Sequence, residues 1–443
     1  MKKKEKLTLV EEVARRPIKP ANNFIWWLYG VLANMPFFAP KYKPTYTVID
    51  DPKECETGCF IIWNHLSRRD YLPLRVLLGK RKFSMVAGYT EFFRAHLAWM
   101  FKLACILPKK PLYNNDMGAI GAMMKIIRQG GCVTFSPEGT PSIFGDHQPS
   151  APGTARFLKK VGVPVYFAEF RGHYLCSNKV DITDKPGSTE VILSKLFTPE
   201  DLKELTAEEI EVKINEKLRH DDFEWNKVKQ YSYKGKGKMC ERLEEMLYEC
   251  PKCGKRFVTK GEKDTFKCTC CGNGFTMDNK YNMTPLDDSC VIASSPSKWA
   301  QWQRQNIIKE IRKDPNFEFK GHYKLGGLPK YKRLRHLAMC EIQGEVDFTI
   351  NHEGVHFVGT RFGEPCEIHM TYKELYSPCV ENDLTNITFY PKGESADIVV
   401  DDKKGAYIIM LIQEMHRLHE NYWKNFSWFD YMYEDIDAPS LLK

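Results

Sequence analysis

Two features are missing from this sequence of 443 residues: a secretion signal and an apolar run long enough to cross a membrane. Lys, Glu and Arg fill the first sixteen residues, and no small-residue cleavage site follows them. Residues 24–40 fall short of the roughly 20 apolar residues that a spanning helix needs, and Asn34 and Pro36 interrupt them. We therefore expect neither a secreted protein nor a membrane-spanning helix.

The sequence also lacks internal repeats and the composition of a disordered chain. Its residues are 43% hydrophobic and 28% charged, which is ordinary for a folded protein. A chain of this length exceeds what one hydrophobic core usually supports, so we expect two or three domains. Without secretion, the fifteen cysteines indicate a reducing compartment in which clustered thiols bind metal and scattered thiols pack in cores.

Residues 1–40 are predicted to form an amphipathic segment on a membrane surface. Between Phe24 and Pro40 the chain is crowded with Trp, Tyr and Phe, as is typical of helices at the lipid headgroup boundary. A helix buried in the core of the first domain would have the same aromatic content, and this alternative stays open.

A second candidate for membrane contact is the basic stretch between His322 and Cys340. Its five cations meet no acidic residue, and each cation near an anionic lipid surface contributes about 1 kcal/mol. A solvated loop is an equal alternative. The cations are Lys324, Lys330, Lys332, Arg333 and Arg335.

Residues 41–230 are predicted to form an α/β domain with a largely parallel sheet flanked by helices. Short apolar runs at 58–63, 132–135 and 163–170 alternate with helical patterns, as in such domains. The first run ends at Asn64 and His65. Ser67 followed by an acid three residues later predicts a helix N-terminus, with Asp70 one turn into that helix.

Two smaller units are expected to follow. Residues 231–290 read as a Lys-Gly-rich linker and a cysteine cluster. Residues 291–443 begin with a helix and continue as short alternating strands, with a hairpin turn at 351–354. An amphipathic helix from Ala406 to about Phe426 closes this unit. Several strands followed by one helix resemble a pleckstrin-homology roll in architecture.

His65 and Asp70 carry the strongest signal for chemistry. Transfer of an acyl group to an alcohol needs a base for the hydroxyl proton and a group that holds this base in the right tautomer. Imidazole titrates near neutral pH, and a carboxylate five residues away is able to reach its other nitrogen. Alternatively, Asp70 is only a capping acid and His65 only a loop residue.

Three segments in sequence resemble motifs of the glycerolipid acyltransferase family, which includes bacterial lysophosphatidic acid acyltransferases. Residues 64–70 match the first motif, Asn-His-x-Ser-x-x-Asp. Residues 135–142, Phe-Ser-Pro-Glu-Gly-Thr-Pro-Ser, are similar to the third, and residues 163–165 to the fourth. The resemblance covers about half of the chain. It implies that His65 and Asp70 are catalytic and that the Glu-Gly-Thr of the third motif binds the acceptor phosphate.

The sequence departs from the family pattern where the acceptor is bound. Pro141 stands where the third motif has an arginine, and Ser136 replaces its aromatic residue. The second motif is only loosely present at 105–110, where a lysine is able to act as a point charge; Arg69 is a further candidate cation. The residues expected to bind substrate are Asn64, Ser67, Arg68, Lys109, Lys110, Glu138, Gly139 and Thr140.

Four cysteines predict a structural Zn²⁺ site. Cys250 and Cys253, and then Cys268 and Cys271, form two Cys-x-x-Cys-Gly knuckles, so four thiolates are available to surround one metal ion. Because sulfur fills every position, this zinc ribbon has no open site for catalysis, and we expect no catalytic metal. Cys270 is a spare thiol.

The leading hypothesis is an enzyme that moves a fatty acyl group from acyl-CoA or acyl carrier protein to lysophosphatidic acid or a related lysophospholipid. It would act as a peripheral or monotopic protein on the cytoplasmic face of an anionic membrane. The principal rival is a non-catalytic lipid-binding or membrane-tethering protein with a degenerate acyltransferase fold. A zinc-ribbon protein acting on nucleic acid would leave the motifs unexplained, so no nucleic acid partner is expected.

Overall fold

The computed structural model describes residues 6–79, 81–113, 115–335 and 338–420, together with Leu442. In this part of the chain a seven-stranded sheet, a four-stranded sheet and a second seven-stranded sheet follow one another. This succession confirms a mixed α/β protein with additional sheets toward the C-terminus.

The first sheet has the order β1-β7-β6-β2-β5-β3-β4 and is parallel except where β6 meets β7. Its strands are β1 (Pro44–Val48), β2 (Cys59–Trp63), β3 (Phe83–Gly88), β4 (Leu107–Lys109), β5 (Cys132–Phe135), β6 (Val165–Arg171) and β7 (Thr189–Phe197). The helices of this region are α1 (Leu9–Ala14), α2 (Asn23–Ala33), α3 (Tyr71–Leu78), α4 (Ala95–Leu103), α5 (Met117–Arg128), α6 (Thr154–Val161), α7 (His173–Cys176), α8 (Pro199–Glu204), α9 (Ala207–Leu218) and α10 (Asp222–Lys229).

Strand β2 lies at the centre of this sheet and is buried along its whole length. Ile61 and Trp63 face a core shared with α2 and α3, whereas Phe60 and Ile62 face a core shared with α5, α6 and α9. A strand covered on both faces reads as a continuous apolar run, which is why the sequence revealed it. Strand β2 therefore delivers the residues that follow it to the middle of the domain.

Helix α2 divides the aromatic segment into a buried face and an exposed face. Trp26 is only 7% exposed. Its ring lies 4.8 Å from that of Phe83, and the Arg75 guanidinium lies 4.0 Å from its centroid. Trp27 is 60% exposed, and Phe24 and Val31 on the same face are also exposed. One face of this helix is therefore part of the core, and the other leaves apolar side chains exposed. No helix in the described ranges has the length and apolar character needed to cross a membrane.

The second sheet is antiparallel, with the order β11-β10-β9-β8. Its strands are β8 (Thr259–Glu262), β9 (Thr265–Cys268), β10 (Gly274–Met277) and β11 (Met283–Pro285). The preceding stretch, expected to be a linker, is packed instead: Tyr233 and Cys240 are fully buried, and the Tyr233 main chain bonds Asn279 at 2.7 Å. The aromatic ring of Tyr233 fixes a segment that its Lys-Gly composition had suggested was loose.

The third sheet is antiparallel and has the order β15-β14-β13-β12-β18-β17-β16. We call this sheet, together with the helix before it and the helix after it, the roll. The predicted hairpin is present, with Asn351 paired to Gly354. The elements of the roll are α11 (Pro296–Lys313), β12 (Glu318–Gly327), β13 (Glu341–Asn351), β14 (Gly354–Arg361), β15 (Glu364–Met370), β16 (Cys379–Val380), β17 (Asn386–Phe389), β18 (Ala396–Val399) and α12 (Gly405–Glu420).

Helix α12 differs from the amphipathic helix expected between Ala406 and Phe426. Its polar residues Glu414 and Arg417 are buried along with its apolar ones. Arg304 of α11 bonds Glu414 at 2.8 Å, so α11 covers the face that the pattern had assigned to solvent. The predicted part beyond residue 420 lies outside the described residues.

The basic stretch of the roll lies against α1. The main-chain N–H of Leu9 donates to the carbonyl of Lys330 at 2.9 Å, and Arg333 pairs with Glu12 at 2.7 Å. Lys330 and Lys332 remain exposed. The stretch is therefore not a free solvated loop, because the N-terminal segment holds it in place.

Candidate active site

The site is built around the turn that follows β2. Nδ1 of His65 lies 3.0 Å from Oδ2 of Asp70. The His65 side chain is 22% exposed, whereas that of Asp70 is 1% exposed. Parallel strands gather their reactive groups at the carboxyl ends, and β2 is the central strand of the sheet. The turn thus presents one imidazole to solvent and hides the carboxylate that holds it.

Asp70 precedes α3 and is not one turn into it, which corrects the expectation from the sequence. Helix α3 begins at Tyr71, and Asp70 makes no side-chain capping bond to it. Its Oδ2 instead accepts the main-chain N–H groups of Leu66 and Ser67, each at 3.0 Å. The carboxylate folds back because these donors lie on the loop behind it. These two donors orient it toward His65.

The surroundings of Asp70 favour its charged form. Burial opposes ionisation, but the rings of His173 and His65 outweigh burial and hold the pKa of Asp70 below its usual value. An ionised carboxylate at this position is able to orient the imidazole and to balance a positive charge on it.

Two motif residues that were expected to bind substrate contact a second turn. We call residues 170–177 the β6–α7 turn. The amide of Asn64 donates to the carbonyl of Phe170 at 2.8 Å and accepts its N–H at 2.7 Å. The hydroxyl of Ser67 donates to the carbonyl of Ser177 at 2.8 Å. Both side chains are buried, so in this structure they fasten the two turns together.

The β6–α7 turn also brings up His173, which the sequence analysis did not identify. Its Nδ1 lies 3.3 Å from Oδ1 of Asp70, and its side chain is 4% exposed. The available signal was its position: a Gly-His pair directly after a buried strand, like the His65 turn after β2.

Glu138 of the third motif holds the main chain of the His65 turn by a hydrogen bond. One of its carboxylate oxygens accepts the main-chain N–H of His65, and the other accepts that of Gln148 at 3.0 Å. Burial raises the pKa of Glu138 to about 8, against the lowering effect of these two N–H groups. Gly139 has a φ of 75°, and a Cβ there would lie 2.8 Å from the side chain of Leu112. The motif therefore needs glycine on steric grounds.

Thr140 connects the motif to the roll through a second residue that sequence reasoning missed. The buried ammonium of Lys179 donates to the Thr140 hydroxyl at 2.7 Å and to the carbonyl of Val380 in β16. In addition, the main-chain N–H of Asp383 donates a hydrogen bond to the carbonyl of Lys179 at 2.7 Å. The roll is thus directly joined to the third motif.

The two lysines of the loose second motif are engaged by carbonyl groups. Nζ of Lys109 donates to the carbonyls of Lys110 and Tyr113 at 2.9 and 2.7 Å, and burial lowers the pKa of Lys109 to about 8. Nζ of Lys110 donates to the carbonyl of Gly393 in the roll. These bonds hold both ammonium groups against the main chain, and each still has at least one N–H for a further acceptor.

Arg68 and Arg69 belong to a cluster of cations around Asp184. Arg68 lies 2.8 Å, Arg69 3.3 Å and Lys41 2.7 Å from the Asp184 carboxylate. The hydroxyls of Tyr42 and Ser177 also bond it. Three cations against one carboxylate leave a surplus of positive charge beside the His65 turn, since Arg68 and Arg69 follow His65 in the chain.

The four predicted cysteines come together. The sulfurs of Cys250, Cys253, Cys268 and Cys271 all lie within 4.8 Å of one another, which makes them a group able to hold a metal ion. Their knuckles close as expected, since the glycines that follow have φ values of 68° and 76°. Next to them the indole N–H of Trp299 donates to the carbonyl of Glu249 at 2.9 Å. The ribbon therefore packs on α11 of the roll.

A solvent-facing imidazole backed by a buried carboxylate defines a general-base site able to activate a hydroxyl group. Residues 43–167, which contain this site, match the family model described as Acyltransferase. The 1-acyl-sn-glycerol-3-phosphate acyltransferase BAT2, chloroplastic, of Brassica napus is 27% identical over 145 residues, 32% of this chain and 40% of that protein. The chain thus spans less than half the length of that relative.

A solved structure gives a further similarity. The 1-acyl-sn-glycerophosphate (LPA) acyltransferase PlsC from Thermotoga maritima is 15% identical, with a TM-score of 0.38, over 46% of this chain and 80% of that one. Residues 43–167 are thus similar to the acyltransferase family, and a 1-acyl-sn-glycerol-3-phosphate acyltransferase is among the relatives of this chain.

Proposed function

We propose that this protein transfers a fatty acyl group from acyl-CoA or acyl carrier protein to a hydroxyl of lysophosphatidic acid or a related lysophospholipid. The observation that carries the proposal is the His65–Asp70 pair, with one ring nitrogen on the carboxylate and the ring partly open to solvent. Because Nδ1 faces Asp70, Nε2 is left for the acceptor hydroxyl.

In the reaction, Nε2 of His65 takes the hydroxyl proton while the acceptor oxygen forms a bond to the thioester carbonyl carbon. The carbon–sulfur bond then breaks, and the proton passes from His65 to the leaving thiolate. Asp70 stabilises the imidazolium between these steps, and Glu138 keeps the His65 main chain in place. The acceptor itself is the nucleophile, so no serine or cysteine is acylated.

For the acceptor headgroup we favour the cations around Asp184 over the second motif. Arg68, Arg69 and Lys41 follow or adjoin the His65 turn, and their charge is only partly balanced. A phosphate monoester would supply the missing anionic partners. Asn64, Ser67, Glu138, Gly139 and Thr140 would shape the site through the main chain, while Lys109 and Lys110, already bonded to carbonyl groups, would contribute less.

An acylation assay tests the function directly. Purified protein in detergent or on vesicles is given a mixture of lysolipids with radiolabelled acyl-CoA or acyl carrier protein, and the lipid products are separated. We expect label in a diacyl phospholipid, dependent on His65. If the protein bound lysolipid but transferred no label from either donor, it would be the non-catalytic lipid-binding protein, and the enzymatic proposal would be wrong.

We further propose that the metal of the cysteine cluster is Zn²⁺. Four thiolates at about 2.3 Å from a tetrahedral zinc ion stand about 3.8 Å apart. Cys250 and Cys271 lie 3.7 Å apart, and Cys253 and Cys268 lie 3.8 Å apart. Zinc would supply only structural cross-linking here, because its coordination would be complete.

The protein is proposed to act as a peripheral protein on the cytoplasmic face of an anionic membrane. Phe24, Trp27 and Val31 form an exposed apolar stripe on α2, and Trp99 and Leu103 are exposed on α4. Both helices cover the same face of the sheet, because Met85 packs against the cores that contain them. The exposed lysines of the basic stretch lie beside α1 on this face and suit anionic headgroups.

A further inference from the structure

The carboxylate of Asp70 has two oxygens with unequal surroundings. Oδ2 is contacted by three donors: the His65 ring and the N–H groups of Leu66 and Ser67. Oδ1 is buried and makes no hydrogen bond of standard geometry within the described residues. Nδ1 of His173 lies 3.3 Å from it. Burying an anionic oxygen that no polar group contacts is unfavourable. The imidazole of His173 therefore stabilises the charge on Oδ1 in addition to packing against it.

His173 is held in this position by several independent contacts. The carboxylate of Asp222 accepts the main-chain N–H of Gly172 at 2.6 Å and that of Tyr174 at 2.8 Å. Gly172 has a φ of 77°, and a Cβ there would lie 2.8 Å from the ring of Trp225. The ring of Phe170 meets the His173 ring edge-on, with centroids 4.7 Å apart. A ring fixed so firmly is suited to orient a partner.

The tautomer follows from the surroundings of the ring. Nε2 of His173 is buried and makes no hydrogen bond to the described residues, so a proton there would be left unsatisfied. A proton on Nδ1 points to Oδ1 of Asp70 instead. This arrangement makes His173 a donor toward the carboxylate.

We propose that His173 is a positioning residue for acyl transfer, which holds Asp70 from the side opposite His65. The proposal rests on the proposed function of the His65–Asp70 pair. When His65 accepts the acceptor proton, the carboxylate must keep its orientation toward Nδ1 of that ring. Donors on both oxygens prevent it from rotating, since the main-chain groups and His65 fix Oδ2 and His173 fixes Oδ1.

A positioning role has consequences that packing alone does not have. The groups that face Asp70 are the two imidazoles and the N–H groups of Leu66 and Ser67, with Glu138 as the nearby acid. Loss of His173 removes a group that lowers the pKa of Asp70, so that pKa rises. The titration of the Asp70 carboxyl therefore moves to higher pH, a change that the loss of packing contacts alone does not produce.

The experiment compares His173→Leu, His173→Gln and the control His416→Gln, a buried imidazole of the roll in α12. For His173→Leu we expect kcat to fall about 10- to 100-fold, as for outer partners that orient metal ligands, with KM within about 2-fold. The Asp70 carboxyl of this variant should titrate at higher pH than in the parent. His173→Gln retains a side-chain N–H and should recover part of kcat, and the control should match the parent.

Two readouts separate the possible results. Unchanged kcat and an unmoved titration of the Asp70 carboxyl in folded His173→Leu would overturn the proposal, as would equal losses of kcat in the Leu and Gln variants. If His173→Leu does not fold, the Gln variant carries the test through the titration of Asp70.

The pKa of Asp70, followed by its carboxyl ¹³C shift, needs no activity. If the parent protein were inactive but the pKa of Asp70 rose in the His173 variants, the contact would be supported and the proposed function would be wrong. If the pKa of Asp70 did not change, the contact itself would be wrong.

Discussion

The His65 turn and the cysteine knuckles are two tight turns that present reactive atoms, yet they do so in opposite ways. In the turn, one imidazole nitrogen is held by Asp70 and the ring stays 22% exposed. In the knuckles, four sulfurs face one another within 4.8 Å. An atom left open is available for chemistry, whereas a closed donor set is available only for stability. Substitutions in the two places should therefore affect different properties.

The largest expected effect comes from the open turn. His65→Ala and Asp70→Asn should each lower kcat by roughly 10²- to 10⁴-fold, because loss of a general base or its orientation costs that much. Thermal unfolding of the His65 variant should stay close to that of the parent, since the ring is partly solvated. Asp70→Asn should unfold at a somewhat lower temperature, since it leaves main-chain donors of Leu66 and Ser67 with a weaker acceptor.

Acylation kinetics and thermal melts of the same preparations check this prediction. Near-normal turnover by His65→Ala would show that His65 is not the general base. The open His65 turn and the closed cysteine knuckles would then no longer differ in chemical role.

The closed cluster should respond in the opposite way. We expect one zinc ion per chain, and Cys253→Ser should lose the metal and lower the unfolding temperature of the ribbon and of α11, which packs on it. Elemental analysis and calorimetry measure both effects. Cys270→Ser is the matched control, because this neighbouring thiol is exposed and outside the metal-binding group. Full zinc content in Cys253→Ser would contradict the assignment.

The smallest expected effect applies the same contrast to adjacent residues of α2. Trp27→Ser should weaken sedimentation with anionic vesicles at every salt concentration while leaving the unfolding temperature unchanged, because its ring is exposed. Trp26→Ser should destabilise the domain by about 3 kcal/mol or more, as for large-to-small changes in a core.

High salt should release the parent protein from vesicles only in part, since salt screens the lysines but not the apolar stripe. If folded Trp27→Ser bound vesicles as tightly as the parent, the prediction would be wrong, and another part of the protein would bind the membrane.

Much of the site was predictable because its parts are close in sequence. His65 and Asp70 are separated by one turn, and each cysteine pair lies within one knuckle, so local geometry alone brings them together. Strands β2 and β5 were visible as apolar runs because both of their faces are covered. The hairpin at Asn351 and Gly354 followed from its turn residues.

Other features depended on which elements become neighbours. The sequence named Asn64 and Ser67 but not their partners, and Asn64 bonds Phe170 across 106 positions. His173 and Lys179 carried no motif, and their importance arises only because β6 lies beside β2 and the roll lies against the third motif. The sequence likewise did not separate Trp26 from Trp27.

The amino-acid sequence by itself determined the His65–Asp70 pair, the group of four cysteines able to hold a metal ion and the succession of sheets. The tertiary structure alone decided which oxygen of Asp70 meets His173, which cations face Asp184 and which tryptophan faces solvent. The physical reason is that short-range patterns fix turns and strands, whereas contacts between distant segments follow from how the sheet orders its strands and buries their faces.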